Sequence, residues 1–152
     1  PTAATSTGVM AAVNGVVLVG GTQVAILTGM SIKIDGGYSG DPVVGANTVP
    51  NVFPGRVRVT GNFTAYFQDA TMRDYFVNET EISIVAAFTT ANDANADFLS
   101  FAMPRVKVGS ATKDDGEKGI IQSFDFTALY NSAGGTGTSS EATTLFVQDS
   151  QA

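Results

Sequence analysis

Between Arg56 and Glu79, in RVRVTGNFTAYFQDATMRDYFVNE, the apolar residues change period once. Val57, Val59, Phe63, Ala65 and Phe67 recur at every second position, and Arg56, Arg58, Thr60, Asn62, Thr64 and Tyr66 fall between them. Successive side chains of a strand point to opposite faces, so this alternation predicts a strand with one buried side. Gly61 interrupts the apolar stripe and predicts a bend or bulge. Asp69 then stands where a helix N-cap belongs, its carboxylate able to accept from unpaired N–H groups. Met72, Tyr75 and Phe76 follow at the spacing of one helix face. A helix this short needs a surface to lie on, so it is expected as a lid over one end of a sheet.

The rest of the chain supplies the sheet. With 152 residues it has the length of one domain, and 43% hydrophobic content suffices for a core. The formal charge of −6 argues against a protein that grips nucleic acid by its phosphates. There is no cysteine and no histidine. That removes disulfides, thiolate chemistry, the usual general base and the commonest transition-metal ligand, so no enzyme, cofactor or metal site is expected. No apolar run approaches the ~20 residues of a membrane-spanning helix. The first residue is Pro1 rather than Met, which points to processing or to a piece of a longer chain.

Residues 1–14 are small and weakly patterned and read as an N-terminal arm or linker, with residues 15–152 as the β domain. Val16 to Val19 predicts a strand, closed by a tight turn at Gly20-Gly21. Gln23 to Asp35 alternates throughout, with Val24, Ile26, Met30, Ile32 and Ile34 on one side, and predicts a single strand of roughly 40 Å. Residues 36–55 form a long loop with five glycines, three prolines and one charge, Asp41. Its Tyr38, Val43, Val44, Val49, Val52 and Phe53 make it too apolar for a simple solvated loop. Either it folds over its own core or it is a contact surface for another copy.

Later strands are expected at Thr80 to Thr90, Phe98 to Met103 (stopped by Pro104), Gly119 to Tyr130 and Thr143 to Gln148, with a short extended piece at Arg105 to Val108. Ala111 to Gly119 reads as a polar turn; its Asp114, Asp115 and Glu117 lack the spacing of a calcium loop. The fold class is mainly β: an antiparallel β-sandwich or partly closed barrel of about eight strands with one short flanking helix. The face opposite the core is unusual in being small and polar rather than charged. Thr60, Asn62, Thr64, Ser83, Ser123 and Thr127 lie on it, with Ala25, Ser31, Ala87 and Thr89, the acids Asp35, Glu81 and Asp125, and Lys33, Arg56 and Arg58 near strand ends. It is either a solvated outer face or the lining of a channel, where a sparse negative potential would let a polyanion slide without sticking.

The element order resembles that of the tail tube proteins of long-tailed bacteriophages, from about Val13 to Ala152. The resemblance rests on the strand SIKID, the loop that follows, RVRVTGNFTAYFQD with its short helix, PRVKV at Pro104 to Val108, GIIQSFDFTALYN and the closing ATTLFVQDSQA. In particular it resembles the second half of members whose chain duplicates the tube fold. The resemblance implies a structural protein of the virion tail, in which rings of six tube domains stack into a hollow tube. Each domain gives its inner sheet to a barrel around the lumen, and double-stranded DNA passes through without specific binding. In such proteins loop 36–55 contacts the adjacent ring, while the N-terminal arm and the last strand bridge neighbours. A tape measure protein and a tail terminator are the implied partners, and no membrane is. A hexamer of single domains and a trimer of duplicated ones both remain open. So do two rivals: a secreted or capsid-surface β-sandwich adhesion module binding through tips such as Thr112 to Gly119, and a tube of a contractile injection machine.

Overall fold

The computed structural model describes residues 10–24, 26–42, 44–45, 49, 51–66, 70–114, 120–134 and 142–150. The elements are β1 (Val16–Val19), β2 (Thr22–Gln23), β3 (Leu27–Asp35), β4 (Arg58–Tyr66), α1 (Thr71–Val77), β5 (Ile82–Thr89), β6 (Phe98–Asp114), β7 (Ile121–Ala128) and β8 (Phe146–Asp149), with a 3₁₀ turn at Ala12–Asn14. The eight strands form one antiparallel sheet in the order β2-β1-β5-β6-β7-β4-β3, with β8 added on β6, and the path does not close. The part of the 1–14 segment nearest the domain is tied to it. Asn14 Nδ2 donates to the Thr90 carbonyl at 3.3 Å, and Thr89 Oγ1 donates to the Asn14 carbonyl at 3.2 Å.

Alternation in sequence becomes burial in space. Val59, Phe63 and Ala65 of β4, Ile82, Ile84 and Ala86 of β5, and Phe124, Phe126 and Ala128 of β7 are all buried. All of these but Ala65 meet in one apolar cluster with Val17, Val19, Val24, Met103, Val106 and Val108, so the sheet curls its inner face around a single core. Phe63 stacks on Phe124 at 5.0 Å between ring centroids, and Phe126 lies 6.2 Å from Phe63. Gly20 and Gly21 both have positive φ, as the two-residue turn joining β1 to β2 requires.

Several expectations are corrected. The alternating segment from Gln23 is not one strand: β2 ends at Gln23, and β3 starts at Leu27 with a register shift before Gly29. Val24 is nonetheless buried, so its apolar character reports the core rather than a strand. Pro104 does not stop a strand; β6 runs through it for 17 residues. Against β5 the register steps from Met103–Ile84 to Val106–Ile82, leaving Pro104 and Arg105 opposite Ser83 alone. On its other side, β6 pairs with β8 up to Ala102 and with β7 from Val106. The missing N–H of proline falls in the bulge against β5, where the opposite side of β6 changes partner from β8 to β7, a position at which proline is tolerated. Ala111 to Asp114, expected in a turn, continue β6.

Gly61 causes no bulge. It pairs regularly with Ile32 and Phe126, and a Cβ there would collide with the Ser31 carbonyl and the Phe126 ring. The glycine is the space the ring occupies. The N-cap position of α1 is Ala70, with no side-chain cap bond; Asp69 and Phe67 lie outside the described residues. Met72 and Tyr75 pack against the core as expected, whereas Phe76 and Val57 are exposed. Gly61→Val should therefore cost about 1–3 kcal/mol through overpacking. The measurement is the urea midpoint with its slope; a variant as stable as the parent would show that the ring can move aside.

Candidate functional site

The change of partners along β6 divides the sheet. Its first part joins β2, β1, β5 and β8, and its second part, from Val106, joins β7, β4 and β3. Registers across this second part assemble the polar face in rows. Lys33, Thr60, Thr127 and Lys107 form one row, and Ser31, Asn62, Asp125 and Ser110 the next. Gly29, Thr64, Ser123 and Thr112 make a third. Asp35 pairs with Arg58 at the end where the long loop leaves.

Short side chains on neighbouring strands tie to one another. Ser31 Oγ donates to Asn62 Oδ1 at 3.1 Å, Ser110 Oγ to Asp125 Oδ2 at 2.7 Å, and Thr28 Oγ1 bonds Thr64 Oγ1 at 2.8 Å. Mutual bonding of hydroxyls, amides and carboxylates leaves a low, wet surface with few long side chains standing from it. Its charge differs from the expected sparse negative potential. Lys33, Arg58 and Lys107 share the face with Asp35, Asp114 and Asp125, so the signs balance.

Thus Lys33, Asp35, Thr60, Asn62, Thr64, Ser123, Asp125 and Thr127 come together as the sequence suggested. Glu81 and Ser83 do not join them. Ser83 lies on β5 opposite the Pro104 bulge. Glu81 accepts from Arg105 Nε and Nη2 at 2.7 and 2.8 Å, a two-pronged pair. The Arg105 hydrogen bond lowers the Glu81 pKa below its ordinary value, and the same bond raises that of Arg105. Both groups are open to solvent, so the pair positions a side chain more than it stabilises the fold. Arg105 also donates to the Tyr130 carbonyl at 3.3 Å, and Lys107 Nζ to Glu79 Oε2 at 3.4 Å. The sequence reading missed Ser110, Thr112 and Lys107, because it ended the strand at Val108 or earlier and gave their neighbours to a turn.

Neither long edge of this polar sheet has a strand beside it. Among the described residues no strand pairs with the outer side of β3, and none pairs with the free side of β6 beyond Val106. The long loop stands out from the same unit. Ser39 and Phe53 exchange backbone hydrogen bonds at 3.1 and 2.8 Å, closing its base into a ribbon. Tyr38, Val44, Val49, Val52 and Phe53 are all exposed, Val44 completely. Of the two readings of this loop, folding over its own core does not hold for these residues; Val43 lies outside the described set. Thr112, taken as a loop tip in the adhesion reading, sits within β6. No group of three or more side chains able to hold a metal occurs among the described residues.

A sequence profile described as phage tail tube protein matches residues 1–128. The chain belongs to the phage tail tube protein family. Membership places it in the virion tail as a structural protein. No curated protein sequence matches. Among solved structures, the SPP1 tail tube, from a hybrid of solid-state NMR and cryo-EM, superposes with a TM-score of 0.61 at 16% identity, covering 78% of this chain and 75% of that one. The sheath/tube terminator of the PVC extracellular contractile injection system superposes at 0.66 with 11% identity, covering 95% and 99%. At these identities the likeness is one of fold.

Because the Glu81 pKa is lowered, its contribution is present above the unfolded-state value and fades as pH falls through the folded one. Carboxyl NMR titration of this tube protein should place Glu81 below its ordinary range, and Arg105→Gln should return it toward that range. An unchanged titration in the variant would show that the pair does not form in solution.

Proposed function

We propose that the chain is a non-catalytic subunit of the tail tube, joined edge to edge into rings of six tube domains that stack around a lumen. The observation that carries this reading is the polar sheet with both long edges unpaired. An exposed edge of nine residues presents N–H and C=O groups to any other strand, which isolated soluble domains avoid. Pairing β3 of one copy with the free side of β6 in the next uses both edges in one heterologous contact. Repeated around a closed ring, that contact leaves no edge.

The polar face then lines the bore. Apart from Lys33, Arg58 and Lys107, the face consists mostly of short hydroxyls, amides and carboxylates, several bonded to one another, and balanced charge offers no net attraction to phosphates. Double-stranded DNA passes during ejection without being held. The apolar loop, useless to a lone subunit, becomes buried when rings stack. Tape measure protein inside the lumen and a terminator on the last ring complete the assembly in this reading. A hexamer of single domains and a trimer of duplicated ones give the same geometry.

Negative-stain images of the purified protein should show rings or tubes with a central hole; monomers at all concentrations would overturn the reading. Deleting residues 43–52 should leave folded subunits that form rings but do not elongate, and normal tube length would remove the loop from the stacking contact. Replacing Asp35 and Asp125 together by Lys should make the bore basic, so that assembled tubes retain DNA with a steep salt dependence and ejection slows. Unchanged DNA passage would place those residues elsewhere.

A further inference from the structure

The loop leaves the polar sheet at the Asp35–Arg58 end. At the other end of the same strands, roughly 30 Å away for nine residues, a cleft of ≈ 230 Å³ opens between α1 and the β1–β2 hairpin. Val24, Ile26, Met72 and Tyr75 form its apolar walls, and Thr22 and Tyr66 lie at its rim. Tyr75 holds the two walls together: its hydroxyl sits against Gly20, where a Cβ would meet it at 2.9 Å. Tyr66, although next to this apolar space, stays 48% exposed.

We propose that this cleft is the socket for the exposed loop valines, Val44 and Val49, of a second copy stacked on it in the same orientation. This rests on the tube reading and adds to it the surface that receives the loop. The position follows from the strands. Loop and cleft lie at opposite ends of one sheet, so a translation along the strands brings the first of one copy to the second of the next. Such a contact is heterologous and does not close, as a filament requires.

Charge agrees with the pairing. The cleft lining contains no charged residue, and residues 36–55 contain only Asp41, so docking strands no ion without a partner.

The chain has no cysteine, so introduced ones report proximity alone. The test combines Val44→Cys with Thr22→Cys, and Val44→Cys with Thr112→Cys as the control on the polar face. After mild oxidation of assembled protein, the first pair should give a ladder of disulfide-linked chains at least tenfold above the control, disappearing when tubes are dissociated. Tubes that form normally while Val44→Cys cross-links no better to Thr22→Cys than to the control would overturn the socket and leave the tube reading intact. If the cysteine variants fail to elongate, Tyr66→Glu settles the matter: rings without tubes support the socket, and full-length tubes contradict it. Failure of the unmodified protein to form rings or tubes overturns both readings at once.

Discussion

The bulge at Pro104 and Arg105 governs the architecture. It lets one strand of 17 residues serve two neighbourhoods, pairing with β5 and β8 before the bulge and with β7 after it. Because β5 ends its pairing at Val106, the second part of β6 is left with one neighbouring strand among the described residues. An unpaired edge therefore arises on the same segment whose other side anchors the polar sheet. β5 begins at Ile82, opposite Val106, so it has no residue left to pair with the rest of β6. The proline contributes by tolerating this position, since it has no N–H to leave unsatisfied.

Beneath the polar face the core supplies rigidity. Phe63, Phe124 and Phe126 lie on adjacent strands, and Gly61 gives Phe126 its room. The face above can then be built from small side chains that contribute little packing of their own. Stability comes from one side of the sheet and surface chemistry from the other.

Much of this was legible in the sequence wherever period and burial coincide. Alternation in β4, β5 and β7 identified both faces, and the small polar residues of the outer face came with it. The errors share one cause, which is that an apolar residue reports burial and not backbone conformation. Val24 and Ile26 extended β3 on paper because both reach the core, yet the chain there turns between two strands. Pro104 ended β6 on paper because a proline costs a ladder bond, a rule that lapses in a bulge. Gly61 suggested a kink because the ring that fills its space lies 65 residues later in the chain, at Phe126. The grouping of the polar residues depended on register between strands distant in sequence. Lys107, Ser110 and Thr112 joined the face, and Glu81 left it for Arg105, for reasons no local pattern carries.

The central claim is that the two bare edges of the polar sheet are completed by neighbouring copies. Hydrogen–deuterium exchange of the backbone amides, compared between assembled and dissociated protein, tests it most directly. Strong new protection on assembly is predicted for Ser31 to Asp35 and for Val108 to Thr112, with little change in Ile82 to Ala86, which is already paired. Assembly that leaves both edge segments exchanging as fast as before would contradict the account.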